Sequence, residues 1–136
     1  MNKLIFKVIL VFAVFFSVDA KSKEVGIGDK NSKVTIKVFS SLTCPACANF
    51  HSKIFYLIKE EFIDKGLVRF EHHPFPLDLA ALNAEIIVRC HVDNIKKFEL
   101  LGKIYEKQRL WAVGSDINKI NDSIKKIGLE SNLNNK

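Results

Sequence analysis

The sequence predicts an α/β fold, and three observations predict it. A β-branched apolar run, Val34-Thr35-Ile36-Lys37-Val38-Phe39, reads as a strand. A helical pattern comes after it and gives way to a second short strand, Leu67 to Glu71. Three amphipathic segments at helical spacing then fill the rest of the chain. A strand–helix–strand unit favours a parallel pair with a right-handed crossover. Two short strands make a poor sheet by themselves, so a further strand is expected.

Each element has a local cause. The first 20 residues carry Lys3 and Lys7 beside an apolar stretch from Leu4 to Val18, followed by Val18-Asp19-Ala20. A positive start, a short apolar core and small residues before a cut describe a secretory signal peptide, cleaved after Ala20. The stretch falls short of the roughly 20 apolar residues of a membrane span. Lys21 to Lys33 is a polar linker into the first strand. Ser40 to Thr43 form a loop. Pro45 suits the first turn of a helix, where its missing N–H is no loss. Cys47, Phe50, Ile54, Leu57 and Ile58 recur on one face up to about Lys65, and Gly66 caps the end.

After the second strand, His72-His73-Pro74-Phe75-Pro76 closes it off. Leu77, Ala80, Ala81, Ala84, Ile87 and Val88 trace a second helix face, and Ile95, Phe98, Leu101, Ile104 and Tyr105 a third. Ser115 reads as the N-cap of a fourth, with Ile117, Ile120, Ile124 and Ile127 inward and Gly128 as the stop. The tail from Ser131 is polar.

Composition narrows the function. The 136 residues carry a formal net charge of +6. The lysines are scattered, which describes solvated surface, and no nucleic-acid partner is expected. The three cysteines are an odd number. Export would place them where disulfides persist.

Cys44-Pro45-Ala46-Cys47 carries the chemistry. Cys44 sits at a helix start, where unpaired N–H groups and the helix dipole favour negative charge. That lowers the thiol pKa, and thiolate is the attacking species. Cys47 shares the face of Phe50 and Ile54 and points inward. Cys44 is thus expected to form the mixed disulfide and Cys47 to resolve it. Stabilising the thiolate makes the disulfide more oxidising, on a scale where about 30 mV is about 1.4 kcal/mol. Pro-Ala between the cysteines adds no imidazole to this effect, so a weaker oxidant than one with His there is expected. No cofactor is expected.

A zinc site is the competing reading. It needs two ligands beyond the pair. Cys90 and His91 are neighbours and point about 100° apart on a helix, so both do not easily serve one ion. His51, one turn after Cys47, is a surface-helix candidate. His72 and His73 read as the end of a strand.

The segment Phe39-Ser40-Ser41-Leu42-Thr43-Cys44-Pro45-Ala46-Cys47-Ala48-Asn49-Phe50-His51 resembles the active-site segment of the DsbA-like branch of the thioredoxin superfamily. Phe75-Pro76-Leu77-Asp78, the alanine-rich helix ending at Cys90, and Trp111 after Gln108 are similar to the downstream segments of many alphaproteobacterial relatives. The resemblance covers about residues 33–128. It implies a thioredoxin-like fold with a helical insert, about 77–128, within a partial domain spanning 21–136. It further implies a periplasmic thiol:disulfide oxidoreductase with Cys44 and Cys47 as its redox-active centre. The partners implied are exported unfolded or reduced proteins, with a membrane redox partner possible. A metal-binding carrier module and an inactive remnant of an oxidoreductase are the alternatives.

The chain departs from the family pattern in three ways. The family sets a cis-proline opposite the cysteines after the insert, whereas the prolines here are at 45, 74 and 76. The C-terminal strands and cis-Pro loop are therefore expected to be absent, which leaves the helix face at Phe50 to Ile58 partly uncovered and strand edges unpaired. Many relatives carry an acidic residue six positions before the first cysteine, and Val38 stands there. Relatives with a cysteine at the position of Cys90 often have a partner further along. Cys90 is expected to be a buried free thiol, or else to mispair.

Overall fold

A computed structural model describes residues 24–131. The predicted signal peptide and cleavage site lie outside the described residues. Three strands form one sheet, β1 (Val25–Ile27), β2 (Val34–Ser40) and β3 (Val68–Pro74), in the order β1-β3-β2. The central strand β3 runs parallel to β2, with Ile36 opposite Phe70, and antiparallel to β1, with Val25 opposite His72. The parallel pair is the one expected of the strand–helix–strand unit.

β1 is a correction. It lies inside the stretch taken as linker, where three residues are too few to show a period. Pairing with β3 overrides local composition. Gly28 lets the chain leave β1: its φ is +92°, and a Cβ there would meet the Val68 carbonyl oxygen at 2.6 Å. β3 also extends past Glu71, so His72 and His73 belong to the strand.

Helix α1 covers residues 45–63 and crosses from β2 to β3. Pro45 occupies its first turn, and Gly66, at φ +71°, donates its N–H to the Ile63 carbonyl just beyond its end. Its hydrophobic face departs from the α-spacing. His51–Phe55 and Lys59–Ile63 are wide π turns, with bonds such as Asp64 N–H to the Lys59 carbonyl at 2.9 Å. Wide turns change the angle per residue and re-aim the side chains. His51, Phe55 and Ile63 face inward, whereas Ile54 and Leu57 are 45% and 58% exposed. His51, a surface candidate in the competing zinc reading, is buried instead.

Four helices complete the chain: α2 (Leu79–Arg89), α3 (Asn94–Glu106), α4 (Gln108–Trp111) and α5 (Ile117–Glu130). Helix α3 lies against β1 and α1, while α2 packs on α5. Leu100, Leu101 and Ile104 of α3 are fully enclosed, as is Trp111, whose Nε1–H donates to the Ile104 carbonyl at 2.8 Å. Asp116, and not Ser115, caps α5 by accepting from the N–H groups of Asn118 and Lys119. Nor does Gly128 stop that helix. It is buried within it, and the helix runs on to Glu130, which pairs with Lys107 at 2.8 Å.

Cys90 is exposed, which corrects the expectation of a buried thiol. It sits at the C-cap of α2, two residues past buried Val88. Two residues are about 200° on a helix, so Cys90 falls on the opposite face. Its thiol donates to the Ile86 carbonyl at 3.3 Å. Among the described residues β2 has a neighbour on one side, and its Phe39 is 66% exposed.

Candidate active site

The loop between β2 and α1 places two sulfurs at a helix start. Cys44 is the N-cap, with extended backbone (φ −79°, ψ 118°), and its Sγ accepts the Cys47 N–H at 3.4 Å. A sulfur in the N-cap position thus does what a Ser or Asp oxygen does elsewhere, satisfying a donor that the first helical turn leaves free. Both cysteines are half-buried, and the thiols are free.

The two thiols are pushed apart electrostatically. The Cys44 thiol is held below the ordinary range, first by the hydrogen bond from the Cys47 side chain. The Cys47 N–H and the Ala46 N–H act in the same direction, against a smaller effect of burial. Cys47 moves the opposite way, first because burial disfavours its thiolate and then because its thiol is held in the hydrogen bond to Cys44, with the Cys44 charge a smaller effect. The sequence reading credits the helix start alone. The partner thiol is the largest single influence, and two N–H groups of the first turn act with it. The inward lean of Cys47 matches the spacing argument, since it packs against the core.

The loop is held from two directions. Gln108 Nε2 donates to the Leu42 carbonyl at 2.8 Å and to the Cys44 carbonyl at 3.0 Å. Thr43 Oγ1 donates to Asp78 Oδ2 at 2.7 Å, while Asp78 Oδ1 caps α2 by accepting the Ala81 N–H at 2.7 Å. Ser41 Oγ accepts the Leu77 N–H at 3.4 Å. Helices α2 and α4 are thereby tied to the residues that set Cys44 in place.

Cys47 opens on a cavity of about 200 Å³ whose polar wall includes Ser40, His51, His72 and Tyr105. His72 is buried in β3, with Nε2 2.5 Å from Glu85 Oε1 of α2 and Nδ1 3.1 Å from Ser40 Oγ. The Tyr105 hydroxyl donates to Ser40 Oγ at 2.9 Å. His51 stacks on Phe55 with ring centroids 4.6 Å apart, and burial together with nearby His72 brings its pKa down to about 4. Among the described residues no three His, Cys, Asp or Glu side chains are grouped to hold a metal ion.

Sequence reasoning passed over Ser40, Asp78, Glu85 and Gln108 as site residues. Two of these carried a signal. Glu85 lies at i+4 from Ala81 and i−3 from Val88, on the apolar face of its helix. Gln108 lies between Tyr105 and Trp111 at three-residue steps. A polar side chain on a buried stripe requires a partner.

Comparison with known proteins shows what the chain is similar to. Residues 20–136 match the Thioredoxin family. A protein of Rickettsia bellii named "Putative protein-disulfide oxidoreductase" is 32% identical over 118 residues, covering 86% of this chain and 44% of its own. Disulfide bond formation protein D of Bacillus subtilis is 36% identical over 87 residues, covering 60% of this chain and 38% of its own. The crystal structure of alpha-DsbA1 from Wolbachia pipientis superposes with a TM-score of 0.74 at 26% identity, covering 83% of this chain and 56% of that one. The chain thus spans less than half the length of the curated relatives it matches.

Proposed function

Because this chain belongs to the thioredoxin family, in its DsbA-like branch, we propose that it exchanges disulfides with protein thiols through Cys44 and Cys47. The observation that carries this reading is the divergence of the two thiols, with Cys44 favoured as thiolate and Cys47 disfavoured. In the oxidised chain, a substrate thiolate attacks Cys44 Sγ. The Cys44–Cys47 bond breaks, and Cys47 leaves with the electron pair and takes a proton. A second substrate thiolate then attacks the substrate sulfur of the mixed disulfide. Cys44 departs as thiolate, the charge state its surroundings favour. The substrate is oxidised and the dithiol reduced, and no cofactor enters.

The substrates are exported proteins that are unfolded or reduced. The chain acts in the periplasm after removal of residues 1–20, and a membrane redox partner restores its disulfide. The reading of residues 1–20 as an export signal supports this placement. The test uses the oxidised chain and a reduced, unfolded protein. The parent chain restores native disulfides and Cys44→Ser does not, whereas Cys47→Ala, given the substrate in its disulfide form, holds it through Cys44 as a mixed disulfide that Cys47 no longer resolves. A Cys44→Ser variant as active as the parent would remove the proposal. Export is checked by the mass of the processed chain, which begins at Lys21.

A further inference from the structure

We propose that the buried chain Tyr105–Ser40–His72–Glu85 is a proton relay serving Cys47, a role that rests on the exchange reading above. It is built from residues 65 positions apart on three elements, β2, β3 and α3, and closed by α2. Every member is at least nine-tenths buried, and none joins a surface ion pair. Burying so many polar groups is costly unless they satisfy one another.

The bonding gives the chain a direction. The Tyr105 hydroxyl donates to Ser40 Oγ, which leaves the single Ser40 hydrogen to be donated to His72 Nδ1. With Nδ1 an acceptor, the neutral imidazole carries its hydrogen on Nε2, which donates to Glu85 Oε1. The other carboxylate oxygen, Oε2, is buried with no partner. The open end of the chain is the phenol oxygen, which shares the cavity wall with Cys47. Burial opposes ionisation of Tyr105 and outweighs the hydrogen bond to Ser40, with the charges of Cys47, Glu85 and Cys44 adding to burial, so the phenol passes protons on as a neutral group. No carboxylate stands on β2 before the cysteines, where Val38 lines the same cavity.

The relay acts when Cys47 resolves a mixed disulfide. Cys47 Sγ attacks Cys44 Sγ, the Cys44–Cys47 bond forms, and the bond from Cys44 to the outside sulfur breaks. The outside thiolate leaves with the electron pair. The Cys47 proton crosses the cavity to Tyr105 Oη, the Tyr105 hydrogen moves to Ser40, and the Ser40 hydrogen moves to His72 Nδ1. The result is an imidazolium held by Glu85. In the opposite direction the same chain returns the proton to departing Cys47. The groups facing His72 are Glu85 from α2, Ser40 from β2, Tyr105 from α3 and His51 from α1, and His51 remains neutral above about pH 4.

The test is stopped-flow reaction of the reduced chain with dithiobis(nitrobenzoate), in a Cys90→Ala background to remove the exposed third thiol. The first nitrothiobenzoate released reports attack by Cys44, and the second reports resolution by Cys47. Tyr105→Phe, which keeps the ring, and Glu85→Gln, which keeps the volume, are compared with the parent from about pH 6 to 9. The ratio of second- to first-phase rate is expected to fall on the order of 100-fold near neutral pH in both variants. It is expected to recover as pH rises and Cys47 ionises unaided. A ratio equal to the parent's in either variant, or a loss that high pH does not restore, would overturn the relay. A parent with a first phase and no second would also overturn it. A parent with no fast first phase would instead contradict the exchange reading itself.

Discussion

The side-chain amide of Gln108 donates to the backbone carbonyl of Cys44 at 3.0 Å, across 64 residues of sequence. One nitrogen of a four-residue helix therefore fixes the N-cap on which thiolate chemistry depends. The same nitrogen serves the Leu42 carbonyl, so both ends of the turn are pinned from one point. Replacing it leaves two carbonyls without this donor in a largely closed environment. Gln108→Ala is expected to cost about 1–3 kcal/mol in denaturant unfolding. In addition, the alkylation midpoint of Cys44 should rise toward that of a free thiol. A variant that loses stability with an unmoved midpoint would assign Gln108 to packing alone.

His51 makes stability depend on acidity. Its pKa falls from 6.5 to about 4 on folding, so the folded chain binds fewer protons than the unfolded one in that interval. Stability then rises with pH, and it is lost as pH drops from 6.5 toward 4. The slope approaches about 1.4 kcal/mol per pH unit, with a total on the order of 3 kcal/mol. His51→Leu should flatten this part of the profile relative to the parent, as read from urea midpoints across the interval. Parallel profiles for the two proteins would show that another group titrates.

Cys90 lies outside the site and on the surface. Cys90→Ala should change stability by no more than about 0.5 kcal/mol. Under oxidising conditions it should abolish disulfide-linked dimers seen on non-reducing gels, while leaving the Cys44–Cys47 pair able to close. A loss of several kcal/mol would mean that the thiol is part of the core.

Trp111 anchors the helical layer, being 1% exposed with its indole N–H satisfied by Ile104. Trp111→Ala removes the largest enclosed side chain and should cost about 3–5 kcal/mol. Because α4 also carries Gln108, alkylation of Cys44 should slow as the protein loosens. Calorimetry gives the first quantity and a labelling time course the second.

Much of this arrangement was legible in the residues themselves. Pro45 at the helix start, Gly66 just past its end and the β-branched run before Cys44 are local signals, and each held because tertiary contacts agree with it. The misses have a common physical origin in long-range pairing. β1 exists because β3 offers it a partner. His51, one turn after Cys47, faces inward because Phe98 and Tyr105, 47 and 54 residues further on, close against its ring. Gly128 failed to end α5 because the helix is buried there and continues to a salt bridge at Glu130. His72 read as a strand end because its partners, Ser40 and Glu85, lie 32 and 13 residues away in sequence. The cysteine pair was visible at once, whereas the groups that set its environment come from α2, α3 and α4.

The most direct test of the account is the pH dependence of iodoacetamide labelling at each sulfur of the reduced Cys90→Ala protein, assigned by peptide mass. Cys44 should be labelled with a midpoint below the value of about 8.5 for a free thiol, and Cys47 with one above it. Midpoints that coincide, or a Cys44 that ionises no more readily than a free cysteine, would contradict the division of labour between the two sulfurs.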